Sequence, residues 1–337
     1  MTVTVCVIAY NEEKTLPRLL EDIKKQDYPA GQMEILLIDS RSEDTTMQVM
    51  QKFAEENHQY IRVTVEKNGK RTLPAGWNVA LKLFQGDVIL RIDAHARIPS
   101  DFVRKNVECL ESGEDVSGGP RPNLPEEDTP WQRLLLLAET SMFGSGIASF
   151  RRESNKKYVK SMFHPAYRRE VFEKAGKYDE RLVRTEDNEM NYRIRKCGFR
   201  LCYDPSIRSW QYTRSSLKKM MKQKFGNGYW VVLTLKICPK CLSVYHFVPL
   251  AFVLAVIGST ILAICGKTWP AKTLWGAYGL AALGMSVLAV KGKEKHPFQL
   301  LLPGIFLLLH GSYGIGSLAG LLKLPFWDTT VDEDNTI

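Results

Sequence analysis

The sequence predicts an α/β fold, a mostly parallel sheet with helices on both faces, followed by C-terminal transmembrane helices. Three observations carry this. Short apolar runs near residues 3–8, 34–38, 61–65 and 88–92 alternate with stretches of helical period, the βαβαβαβ order of a parallel sheet. The runs at 34–38 and 88–92 are nearly continuous Ile, Leu and Val, the pattern of a buried strand. Beyond Lys240 the chain carries stretches of 26, 18 and 27 residues without Asp, Glu, Lys or Arg, and a spanning helix needs roughly 20.

Each element has its own signal. Val3, Val5 and Val7 alternate into Ile8 and end at Ala9-Tyr-Asn-Glu12, a first strand. Leu16, Leu19, Leu20 and Ile23 fall at helical spacing within residues 13–25, with Pro17 tolerable in the first turn. Glu34-Ile-Leu-Leu-Ile38 is a second strand; Asp39-Ser-Arg-Ser-Glu-Asp-Thr-Thr46 and a helix through Val49, Met50 and Phe53 follow. Ile61 to Val65 forms a third strand, residues 74–84 a helix, and Val88, Ile89, Leu90 and Ile92 a fourth strand ending at Asp93. The charge-free stretches place membrane helices at 246–265, 273–290 and 299–322, the middle one short.

Of the formal net charge of +9, +8 falls in residues 1–240. Its densest region is Arg208, Arg214, Lys218, Lys219, Lys222 and Lys224, with no acid from Pro205 to Lys293. Such a segment suits anionic lipid head groups or a phosphorylated ligand. No zinc-finger, RNP-like or helix-turn-helix pattern accompanies it, so nucleic acid is not an expected partner. Leu217, Met220, Met221 and Phe225 lie opposite Lys218, Lys219 and Lys222 on a helix, which would lie flat on a membrane.

The seven cysteines are scattered, and the lone Cys238-Pro-Lys-Cys241 lacks the second ligand pair of a structural zinc site. They read as free thiols in a reducing compartment. The N-terminus has neither a basic start nor a long apolar core, so no cleavable signal is expected. Lys291, Lys293 and Lys295, with the acidic tail Asp332-Glu-Asp334, put the soluble domain in the cytoplasm under the positive-inside rule. The expectation is a multi-pass protein of the plasma membrane. Its domains would be a cytoplasmic catalytic domain at 1–230, with an interfacial segment at 205–230, a membrane region at 231–325 and an acidic tail at 326–337.

Asp93-Ala-His95 sits where the fourth strand should emerge at a sheet edge, the place where open α/β sheets bind ligands. A carboxylate and an imidazole two residues apart could hold a metal and a phosphate, or simply end a strand. Asp39 could accept from a base or ribose, or cap the following helix. No GxGxxG follows the first strand, so a dinucleotide fold lacks its phosphate loop.

Val5-Cys-Val-Ile-Ala-Tyr-Asn-Glu-Glu13, Glu34 to Thr46 and Gly86-Asp-Val-Ile-Leu-Arg-Ile-Asp93 together resemble the family 2 inverting glycosyltransferases of the GT-A fold. Phe163-His-Pro-Ala-Tyr-Arg-Arg169 with Val171 to Asp179 is similar to their acceptor-side segment, and Thr185-Glu-Asp187 with Arg193, Gly198 and Phe199 to their base motif. The resemblance covers residues 3–230 and is strongest to bacterial succinoglycan-type exopolysaccharide enzymes.

That resemblance implies a nucleotide-sugar site. Ala9 and Glu12 would line the nucleobase and ribose, and Asp39 would bind the base edge, usually uracil. Asp93 and His95 match the family's D-x-D, with histidine in place of the second aspartate. They would hold Mn²⁺ or Mg²⁺ against the diphosphate leaving group, imidazole favouring Mn²⁺. Lys70 and Arg71 would add positive charge there, or remain a solvated loop. Asp187, next to Glu186, would be the general base that takes the proton of the acceptor hydroxyl, or the pair would serve as a helix N-terminus. Gln223 and Lys224 are further nucleotide-sugar candidates, in a stretch that keeps the Gln of QxxRW and lacks its Arg-Trp.

The implied function is transfer of one sugar from a nucleotide sugar, UDP-glucose or similar, to a lipid-linked or saccharide acceptor in exopolysaccharide or cell-surface glycan synthesis. The alternatives are a processive polysaccharide synthase, which the missing Arg-Trp disfavours, and a non-catalytic nucleotide-binding membrane protein. A nucleotidyltransferase would need a Gly-rich N-terminal loop that is missing.

Overall fold

All seven positions of strand β1 (Val3–Ala9) are buried, because helices cover both of its faces. The computed structural model describes residues 1–144, 155–213 and 216–329. Arg214 of the basic stretch and the acidic run at 332–334 lie outside the described residues. Contacts divide the chain into two units, Met1–Pro122 with Phe150–Tyr212 and Thr329–Ile337, and Asn123–Ser149 with Thr213–Asp328.

The first unit begins β1, α1 (Leu16–Lys24), β2 (Met33–Asp39), α2 (Thr46–Glu56), β3 (Arg62–Lys67), α3 (Leu73–Leu83) and β4 (Val88–Asp93), the order expected from the apolar runs. Then come β5 (Ala96–Arg97), α4 (Phe102–Glu111) and β6 (Val116–Gly118). After a stretch belonging to the second unit, with β7 (Asn123–Leu124) and α5 (Pro130–Thr140), the first unit resumes. It continues through β8 (Lys157–Val159), β9 (Ala166–Arg168), α6 (Arg169–Ala175), α7 (Glu186–Lys196), β10 (Leu201–Tyr203) and β11 (Trp210–Tyr212).

Eight strands form one sheet in the order β3-β2-β1-β4-β9-β6-β10-β8. Pairing is parallel across β3-β2-β1-β4 and between β6 and β10, while β9 and β8 run antiparallel to their neighbours. Alternation along β1 divides the core. Val3, Val5 and Val7 pack with α1, α2 and α4, and Cys6 and Ile8 with α3, α6 and α7. β5 pairs antiparallel with β11, so residues 210–212 of the stretch read as interfacial form a strand of this unit. All seven cysteines are free thiols.

In the second unit, α8 (Leu217–Thr234) carries the lysine-rich stretch and α9 (Val248–Ile264), α10 (Trp269–Val290) and α11 (Leu302–Lys323) follow. Three helical stretches, Val244–Ile264, Trp269–Val290 and Pro297–Phe326, are long and apolar enough to cross a membrane. α10 starts four residues before the expected 273, because Pro270 fits a first helical turn and Lys272 then stays within the helix. Glycines bring α8 and α11 together. A Cβ at Gly228 would sit 2.0 Å from the Tyr313 carbonyl oxygen, and one at Gly316 2.1 Å from that of Phe225. Leu134, Leu135 and Ala138 of α5 are buried in one cluster with Leu302, Ile305, Phe306 and Leu309 of α11.

Candidate active site

The carboxyl ends of β1, β2 and β4 lie side by side, with Ala9 opposite Asp39 and Ile8 opposite Asp93. Asp39 is buried, and its carboxylate oxygens accept from the Ser42 N–H at 3.3 and 3.2 Å. The Ser40 N–H donates to the Ala9 carbonyl and the Asn68 N–H to the Asp39 carbonyl, each at 2.8 Å. These bonds close the β2 end into a fixed turn beside Ala9. Ionised carboxylates accept from N–H and O–H donors, so Asp39 can serve both the turn and a ligand.

Asp93 meets polar side chains from two other segments. His164 Nε2 lies 3.2 Å from its Oδ2, and Gln211 Nε2 donates to the same oxygen at 3.4 Å. Gln211 also donates to His95 Nε2. An imidazole that accepts at Nε2 carries its proton on Nδ1, and His95 Nδ1 lies 3.1 Å from Glu12 Oε1. Burial opposes ionisation of Asp93, but His164, Arg91 and His95 outweigh it and hold the carboxyl well below its usual range.

Two short pairings create this arrangement. β9 runs antiparallel to β4 with Leu90 opposite Ala166, and the Arg91 N–H donates to the Pro165 carbonyl at 2.9 Å, which brings His164 alongside Asp93. On the other side, Gln211 pairs with Ala96 and the Tyr212 N–H donates to the His95 carbonyl at 3.3 Å. Close approach at Gly119 is needed for the loop before β11. A Cβ there would fall 2.0 Å from the Ile207 carbonyl oxygen and 2.3 Å from that of Asp204.

Glu186 and Asp187 open α7, where a helix N-terminus favours carboxylates. Burial pushes the Glu186 carboxyl up, the neighbouring Asp187 charge adds to it, and the group reaches about 8. Burial also raises Asp187, against the opposing pull of Arg91. Arg91 Nη2 is 3.5 Å from Glu186 Oε1, and its guanidinium lies over the Trp77 ring, 5.0 Å from the centroid. One buried cation therefore faces the carboxylates of both β4 and α7.

The remaining expected residues are placed elsewhere on the same edge or in the other unit. Lys70 donates to Glu180 Oε2 at 3.1 Å, and Arg71 pairs with Glu43 and lies 5.4 Å from the Tyr10 ring centroid. Glu12, expected at the nucleobase and ribose, directs its carboxylate to His95 and Thr15. Gln223 and Lys224 belong to α8 of the second unit. Sequence reasoning missed Arg91, His164, Ser209 and Gln211. Arg91 had a legible signal, a charge inside the apolar run Val88-Ile-Leu-Arg-Ile92; the other three sit in loops or a strand of three residues.

The donor set fits a divalent ion. Asp93 is held ionised, and His95 has the Nδ1-to-carboxylate contact that orients and strengthens metal-ligating histidines. Among the described residues no three His, Cys, Asp or Glu side chains are grouped to hold a metal. A site of two protein ligands suits an ion completed by phosphate oxygens and water.

The family model described as glycosyl transferase family 2 matches residues 4–176. A Methanococcus voltae relative named dolichyl N-acetyl-alpha-D-glucosaminyl phosphate 3-beta-D-2,3-diacetamido-2,3-dideoxy-beta-D-glucuronosyltransferase is 25% identical over 327 residues, 95% of this chain and 97% of its own. Succinoglycan biosynthesis protein ExoA of Rhizobium meliloti (strain 1021) is 26% identical over 321 residues, 94% of each chain. Among solved structures, mannosyltransferase PcManGT from Pyrobaculum calidifontis in complex with GDP-Man and Mn²⁺ matches with a TM-score of 0.57 and 20% identity, over 97% of this chain and 88% of that one. This last likeness is one of fold.

Proposed function

The chain belongs to glycosyl transferase family 2, and from that premise we propose that it moves a single sugar from a nucleotide sugar, UDP-glucose or similar, to a lipid-linked or saccharide acceptor. The observation that supports this most is the pairing of Asp93 and His95 at the sheet edge with Asp187 beyond Arg91, a diphosphate end and a base end around one cation.

Asp39 and Ala9 would receive the nucleobase. Asp93 and His95 would hold Mn²⁺ or Mg²⁺, which when bound supplies the charge that stabilises a departing diphosphate. Reaching that diphosphate would require Lys70 and Arg71 to release Glu180 and Glu43. Asp187 would take the proton from the acceptor hydroxyl, and a single in-line displacement inverts the anomeric centre. Glu186, protonated at neutral pH, would leave Asp187 as the carboxylate of the pair that accepts the proton.

A lipid-linked acceptor is supported by the name of the Methanococcus voltae relative and by the three apolar helices. In this reading those helices anchor the protein as a multi-pass plasma-membrane enzyme with its sheet domain, residues 1–230, in the cytoplasm. Detergent-solubilised protein incubated with radiolabelled UDP-sugars and a lipid extract tests it. Labelled lipid should form with Mn²⁺, stop with EDTA and return on adding metal. Failure of every donor to label the lipid or a saccharide would sink the proposal.

A further inference from the structure

We infer that His164, backed by Ser209, is the positioning residue that decides which oxygen of Asp93 is offered to the metal ion. The inference rests on the metal reading above and adds to it a group outside the D-x-H motif.

His164 is 1% exposed; its Nδ1 is hydrogen-bonded, while its buried Nε2 faces Asp93 without an aligned hydrogen bond. Nδ1 is 2.9 Å from Ser209 Oγ, and Nε2 is 3.2 Å from Asp93 Oδ2. A neutral imidazole accepts at one nitrogen and carries its proton on the other, so a Ser209 hydroxyl donating to Nδ1 leaves the proton on Nε2, the nitrogen that lies beside Asp93 and needs only a small ring rotation to donate to it. Gln211 takes the same Oδ2. Among the described residues nothing holds Oδ1, which is the oxygen left for a cation.

The backbone carries a second, independent sign. His164 has φ +47°, a left-handed conformation uncommon for any residue but glycine, and it directly precedes Pro165, a context that favours extended backbone. Such strain persists only where surrounding structure enforces it, and it clusters at functional sites. Here the enforcement is visible. The Arg91 N–H grips the Pro165 carbonyl, and a Cβ at Gly118 would fall 2.8 Å from Met162 Sδ and 3.5 Å from Pro165 Cα. The turn is thus pressed onto the end of β6 with its imidazole fixed against Asp93. Partners behind a metal ligand typically matter 10- to 100-fold in metal affinity.

The test is Mn²⁺ binding by the full-length protein in detergent with UDP present, read from the electron paramagnetic resonance signal of free Mn²⁺. His164→Ala should weaken Mn²⁺ about 10- to 100-fold. His164→Gln, whose Nε2 reaches the same place, should recover most of the loss, and Ser209→Ala should weaken binding less than His164→Ala. Equal Mn²⁺ affinity in wild type and His164→Ala overturns the inference, as does a folded His164→Gln no better than His164→Ala. Should His164→Ala fail to fold, Ser209→Ala decides: unchanged affinity there also overturns it. Wild-type protein that binds no Mn²⁺ removes the metal reading itself, and this inference with it.

Discussion

The Arg91 guanidinium and the Glu186 carboxyl group stand 3.5 Å apart, joining strand β4 to the helix that carries Asp187. Their side chains are 12% and 4% exposed, so the pair is largely withdrawn from water. Glu186 keeps its proton at neutral pH, so the charges Arg91 offsets are those of Asp93 and Asp187, and its removal strands them. Arg91→Met should therefore destabilise the fold by about 3–5 kcal/mol, measured by thermal unfolding in detergent. A melting temperature equal to that of wild type would mean that Arg91 does not compensate these carboxylates.

Glu186 gives the stability a pH dependence of known sign. Its carboxyl rises from 4.5 to about 8 in the fold. Between those values the folded protein keeps a proton that the unfolded chain has released, so stability falls as pH rises from 4.5 toward 8. The contribution is complete below the lower value and gone above the upper one. Glu186→Gln should flatten the melting-temperature profile across this window, whereas a slope identical to wild type would contradict the raised carboxyl.

Asp187→Asn keeps the shape of the side chain and removes the proton acceptor. Transfer should drop by about 10²- to 10⁴-fold, while binding of the nucleotide sugar, followed by calorimetry, stays within a few-fold. Undiminished turnover would take Asp187 out of the reaction.

Gly119 tests how the loop bearing Ser209 is seated. A methyl group there meets two carbonyl oxygens at 2.0 and 2.3 Å, neither of them on a flexible side chain. Gly119→Ala should cost roughly 1–3 kcal/mol of stability, read from denaturant unfolding, and should weaken Mn²⁺ binding along with it. Wild-type behaviour in both would show that the loop can shift freely.

β1, β2 and β4 were legible because each is a buried parallel strand, and burial on both faces makes Val3–Ala9, Met33–Asp39 and Val88–Asp93 largely apolar, while the half-exposed edge strand β3 was legible from its alternating Val63 and Val65. β6, β8, β9 and β10 were not, since three residues are too few to display any period. The same shortness hid half of the site. Asp93 and His95 announce themselves by type and spacing, but Gln211 and His164 reach them through strand pairing between residues more than 60 apart in sequence. Arg91 was the exception. A charge inside an apolar strand requires a partner, and the search for one leads directly to Glu186.

Residues 123–144 belong to the second unit and bury Leu134, Leu135 and Ala138 with α11. A stop codon placed after Tyr212 would thus retain α5 while discarding α10 and α11, against which it packs, exposing a leucine-rich face that invites aggregation. Producing the sheet unit as a free-standing protein calls for excising that excursion and bridging its ends, an internal deletion rather than a shortened reading frame.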